Sequence, residues 1–391
     1  MNALVLGYGR SGKAAETLLC RSGFSVTVLD GEAPFPDGAF DVAVVSPGIA
    51  LTHPWIAAAK RRGIPLKSEL QLGCEELQRQ GWKLLAVTGS KGKSSVVKVV
   101  ADAINLAGRH AVPCGNYGVP VCEVANSRTI EQSEQSNNPL WAVVEVSSFM
   151  METTELPPDT FEAAAILNLQ EDHLDRHGSA VVYHALKRRL LTMTPHPILP
   201  PEDASVPELA KGSCFDNEVL GGNAAVAVEL MRAAGLDDAA IRAAFLGFVP
   251  LPHRMNEVAV IDGVRYVDDS KATSLAALAA GVRMCAGSVR LIAGGRPKGD
   301  DPKSVLSVLT KRVKKVYLIG ESAEVFSKAW DGAVDCEICG TLDRAIESAR
   351  RDAVKGETVL LSPGAASFDQ FNSFGERGDV FAALVKNKDN K

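Results

Sequence analysis

The stretch TGSKGKSS, residues 88–95, combines residue types suited to holding a triphosphate. Gly89 and Gly92 let backbone N–H groups approach phosphate oxygens. Lys93 can neutralise charge on the β and γ phosphates, and the Ser94 hydroxyl can ligate Mg²⁺. Ser90, Lys91 and Ser95 complete the loop. A full Walker A motif needs a glycine five positions before Gly92, where this chain has Val87, so the loop is the tighter G-x-x-G-K-S form. The competing reading is a glycine turn with a surface lysine. The apolar run Leu84–Val87 before the loop and Val96–Val100 after it favour strand, phosphate loop and helix.

A magnesium triphosphate also needs ligands nearby, and two candidates stand at the ends of apolar runs. Trp141 to Val144 ends at Glu145, and Ala163 to Asn168 leads into NLQEDHLDRHG with His173 in the turn. Parallel sheets bind ligands at the carboxyl ends of their strands, which would put both beside the glycine loop. His173 and His177 have the spacing of a zinc helix. Position 174 is leucine where a metalloprotease carries its glutamate, so that reading fails. Near the N-terminus, GYGRSG (Gly7–Gly12) follows Ala3–Leu6, and Asp30 ends the next apolar run. This fits the dinucleotide fingerprint, but the same amides suit any pyrophosphate, including that of a UDP-sugar.

Elements that could position these residues alternate along the chain as strand and helix, which implies parallel sheets. Three units are expected. The first has strands at 3–6, 24–29, 41–45 and near 64–66, with SPG (Ser46–Gly48) after the third. The second starts near Trp82 and closes with helices over 220–249. The third starts near Pro250, with strands at 258–261, 289–292, 316–319 and 358–361. The polar segment 126–138 reads as a surface loop. VDCEIC carries a CxxC, Cys336 to Cys339, in a strand-like run without a second ligand pair, so a metal or redox role is not expected.

The 391 residues are 46% hydrophobic and 23% charged, ordinary for a soluble α/β enzyme. A formal charge of −5 without a basic stripe argues against nucleic acid or an anionic membrane as partner. Eight scattered cysteines suit a reducing compartment. No signal peptide and no apolar run of about 18 residues is present, so a cytoplasmic protein is expected.

GSKGKS, EVSSF, NLQEDHLDRHG, LPHR, DDSKATS, AGGRPKG and SPGAASFDQFNSFGERG together resemble the Mur ligases, in their order and over nearly the whole chain. DSKAT, SPGAASFDQF and the closing RG look most like the members that add D-glutamate to UDP-N-acetylmuramoyl-L-alanine through an acyl phosphate. The resemblance implies three domains, each on a largely parallel sheet. Residues 1–81 would bind the UDP substrate on a Rossmann-like fold, 82–249 would bind ATP on a P-loop fold, and 250–391 would bind the amino acid on a second Rossmann-like fold.

It further implies that the N-terminal glycine turn holds UDP rather than NAD and that the central loop holds ATP. Ser94, Glu145, His173 and a carbamylated Lys187 would hold two Mg²⁺ ions. Asn223, Arg254 and Asp269 would contact ATP. Arg10, Ser11, Gly48 and Asn116 would contact the UDP substrate. Lys271, Thr273, Lys298, Ser367 and Phe374 would surround D-glutamate. A monomer is expected. The chain departs from the family in four places. Lys91 replaces an asparagine, and Gly31-Glu32 replaces a basic residue on the uracil side. Of the H-N-x-x-N adenine motif only Asn223 survives, with Val219 and Leu220 in the first two places. The stretch between Lys187 and Asn223 is shorter than usual, by roughly a strand pair. Alternatives are a sister or folylpolyglutamate-type ligase for another amino acid, a nicotinamide-dependent dehydrogenase, and a non-catalytic nucleotide-binding scaffold.

Overall fold

The computed structural model describes residues 1–127, 139–170, 172–203 and 205–387. From residue 128 onward, the loop expected at 126–138 lies outside the described residues. Three sheets account for the strands. β1 (Asn2–Leu6), β2 (Ser25–Leu29), β3 (Val42–Val45) and β4 (Leu66–Ser68) form the first, in the order β2-β1-β3-β4, all parallel. The helix Arg10–Arg21 after β1 buries Ala14, Ala15, Leu18 and Leu19, one face of a 3.6-residue period.

β5 (Lys83–Thr88), β6 (His110–Gly115), β7 (Leu140–Glu145), β8 (Ala163–Ile166) and β9 (Pro197–Ile198) form the second sheet, parallel and in the order β6-β7-β5-β8-β9. β7 and β8 are buried along their whole length, as expected of parallel strands covered on both faces. β5 lies between β7 and β8, so their carboxyl ends surround the glycine loop.

The third sheet is β10 (Asn256–Ile261), β11 (Val264–Asp268), β12 (Val289–Gly294), β13 (Val313–Ile319), β14 (Asp335–Gly340) and β15 (Thr358–Leu361). Its order is β10-β11-β15-β12-β13-β14, parallel except for the β10–β11 hairpin. The CxxC lies on edge strand β14 with both thiols free. Burial pushes each of these thiols up to about 11.

The chain divides into two compact units, Met1–Asp216 with Leu220–Phe248, and Asn217–Val219 with Val249–Lys391. Within the first unit, the core runs without a break from Ala3, Val5 and Val44 through Leu70, Cys74 and Leu77 to Leu84, Val121 and Val144. The expected boundary at 81/82 thus separates two sheets that share one interior. The helices Glu69–Arg79 and Val121–Asn126 join them, with Glu69 accepting from Cys122 N at 2.6 Å. β6, β9 and β11 were not among the sequence expectations. His110–Gly115 and Pro197–Ile198 carry prolines and few β-branched residues, and their strand state comes from pairing with β7 and β8. Among the described residues between β9 and the helix Gly221–Ala233, one short 3₁₀ turn forms and no strand, in keeping with a trimmed periphery.

Candidate active site

The glycine loop is held open by its neighbours. Gly89 and Gly92 have φ of 151° and 84°, and a Cβ at Gly92 would collide with the Asn223 amide. Asn168, just past β8, clamps the loop, accepting from Lys91 N and donating to Lys91 O, both at 2.9 Å. Ser90 Oγ donates to Gln170 O at 2.9 Å and sits 3.1 Å from Tyr183 OH. Lys91 Nζ stands 3.6 Å from Asp172. The helix Lys93–Leu106 starts at Gly92, so its first-turn N–H groups point out of the loop.

Two lysines converge on this loop. Lys93 Nζ donates to Gly89 O at 2.8 Å and to Ser90 O at 3.3 Å. Lys187 Nζ, from the helix Ala180–Arg189, donates to the same Gly89 O at 2.9 Å and lies 4.7 Å above the Tyr183 ring. Lys187 is only 2% exposed. Burial, aided by the nearby Lys93 charge, pulls its amine down to about 7, against the opposing pull of Asp172 and Glu145. A lysine that reads as part of a basic surface run, Lys187 to Arg189, is therefore an interior amine.

Glu145 ends β7, buried. Its Oε1 accepts from Asn116 Nδ2 at 2.8 Å, while its buried Oε2 has no hydrogen-bond partner. Asn116 was expected to contact the UDP substrate; here its amide holds this carboxylate. His173 stands half exposed at φ 53°, 3.8 Å from Asp172. It precedes the single-turn helix Leu174–His177 rather than sharing a face of it. His177 turns inward to Ser148 Oγ at 3.0 Å and Glu152 at 3.4 Å, so the two histidines are not a ligand pair.

Among the described residues no three His, Cys, Asp or Glu side chains gather to hold a metal. Mg²⁺ does not need that, because it keeps several waters and takes phosphate oxygens with one or two protein carboxylates. The unpartnered Glu145 oxygen, on the strand paired with β5 just before the loop, fits such an ion.

On the first sheet, Gly7 turns at φ 89°, and Gly12 packs so closely on Gly7 O that no Cβ would fit. Asp30 accepts from Tyr8 N at 3.1 Å, and Ser46 Oγ donates to Gly7 O at 2.7 Å, which ties the turn to the Ser46–Gly48 segment. A Cβ at Gly48 would meet nothing, so its backbone is open to a ligand. Arg10 is exposed and paired with Glu123 at 3.2 Å.

The second unit groups the amino-acid candidates. Lys298 Nζ donates to Thr273 Oγ1 at 3.1 Å, and Thr273 N to Lys271 O at 2.8 Å. Lys271 Nζ lies 3.8 Å over the Phe374 ring. Ser367 follows Ala366, which pairs with Arg296, two residues before Lys298. Arg377, 1% exposed, binds Ser270 Oγ and O at 2.9 Å and Ala365 O at 3.2 and 3.3 Å, fastening the DSK turn to the SPGAAS loop. Burial brings its guanidinium down to about 10. Asp269 accepts from Ser362 Oγ at 2.8 Å, and burial raises its carboxyl to about 7. Arg254 adjoins His253, which has φ 59° and an Nδ1 contact of 2.7 Å to Asp268.

Residues 87–216 match the Mur ligase middle domain, and residues 253–364 match the Mur ligase glutamate ligase domain. A UDP-N-acetylmuramoylalanine–D-glutamate ligase of Acidobacterium capsulatum is 32% identical over 453 residues, spanning 98% of this chain and 95% of that protein. The protein of that name in Gloeobacter violaceus is 33% identical over 447 residues, spanning 97% of this chain and 98% of its own. The chain belongs to the Mur ligase family.

Among solved structures, the UDP-N-acetylmuramate-alanine ligase of Thermotoga maritima shares the fold. It has a TM-score of 0.58 at 14% identity and coverage of 98% of this chain and 99% of that one. Alignments of 453 and 447 residues against a chain of 391 mean that these Mur ligase relatives carry stretches absent here. Four residues that hold these loops were not singled out from the sequence: Asn168, Arg176, His253 and Arg377. Each lies inside a motif that had been quoted.

Proposed function

We propose that this chain is an ADP-forming ligase that joins D-glutamate to UDP-N-acetylmuramoyl-L-alanine in peptidoglycan precursor synthesis, a cytoplasmic step. The observation that carries the chemistry is the convergence of Lys93 and Lys187 on Gly89 O, near a buried Glu145 oxygen without a partner. Such a site is electrostatically incomplete until polyanion and cation arrive together.

In the reaction, an oxygen of the alanyl carboxylate attacks the γ-phosphorus of ATP and the bond to ADP breaks, leaving an acyl phosphate. The amine of D-glutamate then attacks the acyl carbon, loses a proton, and phosphate departs as the amide forms. Lys93 and the helix N-terminus behind it stabilise charge on the transferring phosphoryl group. Ser94, Glu145 and His173 would hold Mg²⁺, which when bound neutralises phosphate charge and orients the nucleotide.

A neutral Lys187 amine can add CO₂ at nitrogen, losing a proton, to give a carbamate anion. Its two oxygens suit a hard cation as a carboxylate would, so a carbamylated Lys187 would join Ser94, Glu145 and His173 in holding Mg²⁺. Asn223, Arg254 and Asp269 are assigned to ATP. Arg10, Ser11 and Gly48 are assigned to the UDP moiety, with Asn116 reaching it from beside Glu145. Lys271, Thr273, Lys298, Ser367 and Phe374 are assigned to D-glutamate. The functional division at 81/82 and 249/250 follows these assignments.

The deciding experiment measures ADP release with UDP-N-acetylmuramoyl-L-alanine across a panel of amino acids. Release is expected with D-glutamate and not without it. Equal release with another amino acid alone would reassign the substrate.

A further inference from the structure

A chain of polar contacts leads from the first sheet to the end of β7, and Arg176 is its centre. Its Nη2 donates to Ile49 O at 2.8 Å, with Pro47 O at 3.5 Å, so one side of the guanidinium holds the Ser46–Ile49 turn. The same nitrogen and Nε form a two-pronged pair with Glu152 at 2.6 and 2.9 Å. The side chains of the pair are only 17% and 7% exposed, and Phe149 stacks 5.2 Å from the guanidinium. Glu152 meets His177 Nδ1 at 3.4 Å, and His177 Nε2 meets Ser148 Oγ at 3.0 Å. Ser148 lies three residues beyond Glu145, and Arg176 three beyond His173.

We propose that Arg176 is a positioning residue that couples occupancy of the Ser46–Ile49 turn by the UDP substrate to the placement of Glu145 and His173. The proposal rests on the function given above, and deepens it. A planar guanidinium fixed to backbone carbonyls on one side and to a carboxylate on the other acts as a strut, because its donors have fixed directions. A diphosphate that shifts the turn must shift the guanidinium, and with it Glu152 and the turn that carries His173. Without the strut the two ligands would bind independently. Coupling between sites is reciprocal, so it can be read from either one.

The test is calorimetric titration of UDP-N-acetylmuramoyl-L-alanine into the protein with and without Mg²⁺ and ADP, conditions that permit no turnover. In the wild type, Mg²⁺ and ADP should tighten the UDP substrate's Kd about fivefold or more, within the usual range of allosteric coupling. In Arg176→Ala that factor should fall to about one, and the Kd without Mg²⁺ should weaken about tenfold. Arg176→Lys keeps the charge without the fork and should lie between them; it carries the test if the alanine variant fails to show a cooperative thermal melt. A folded variant that keeps the wild-type factor overturns the proposal, as does a wild type that turns over with a factor of one. A wild type that releases no ADP with any amino acid defeats the proposed function itself.

Discussion

The phosphate loop and the amino-acid group solve opposite electrostatic problems. Around Gly89, the Lys187 amine is buried on a backbone carbonyl, with no carboxylate within 4 Å among the described residues. At the end of the neighbouring strand β7, Glu145 keeps a buried oxygen without a partner. In the second unit, Lys298 donates to Thr273, Lys271 lies over the Phe374 ring, and Arg377 is tied to backbone and serine. The first region is built for ligands that bring most of the charge. The second is a finished frame that a dicarboxylate joins. Loss of a residue should therefore cost much more in the first region than in the second.

Lys93→Ala is the largest expected break. It should lower ATP-dependent amide formation by about a thousandfold, the upper end for removing one preorganised charge-stabilising group. UDP-substrate affinity by calorimetry without nucleotide or Mg²⁺ should stay within about twofold. Equal losses in a folded variant would mean that the two glycine turns do not act separately. Lys187→Ala should cost about a hundredfold or more in turnover, and a small added carboxylate such as acetate should restore part of it by taking the carbamate's place. Wild-type turnover in that variant would return Lys187 to a packing role.

In the second unit, a charge-assisted hydrogen bond contributes about 1.5–3 kcal/mol. Lys298→Ala or Ser367→Ala should therefore raise the KM for D-glutamate about tenfold and leave the KM for ATP alone. Unchanged constants in both variants would move the amino-acid site elsewhere. The smallest effect sharpens the contrast within the loop itself. Lys91 pairs with Asp172 at 3.6 Å and is 41% exposed, and a pair of that kind contributes up to about 1 kcal/mol. Lys91→Asn, which restores the residue usual in the resemblance, should change ATP affinity less than about fivefold in a binding titration.

The legibility of these two regions differs for a physical reason. Strand, glycine turn and helix are local patterns, so β1, β5, β7, β8 and β15 and the loop at Gly89–Gly92 could be read from runs of apolar residues and their punctuation. Glu145 and His173 were legible because each follows such a run. β6 was not, since its pairing with β7 and not its own composition makes it a strand, whereas VRYVD of β11 carries a strand pattern that went unread. Lys187 shows the limit most clearly. Its neighbours Arg188 and Arg189 give it the look of a surface residue, and only the resemblance singled it out.

By itself the sequence determined the alternation that gives parallel sheets, the phosphate-binding chemistry of the GSKGKS loop, and the family resemblance carried by its motifs. Those depend on neighbours in the chain. Tertiary structure alone decided that Lys187 and Lys93 share one carbonyl, that Asn116 holds Glu145, and that the first two sheets share a core. It also set Arg176 between a turn of one sheet and the carboxylate of Glu152. Each of these joins residues far apart in sequence. Their meeting depends on the strand order β6-β7-β5-β8-β9 and on buried polar groups needing partners, and no local pattern encodes either.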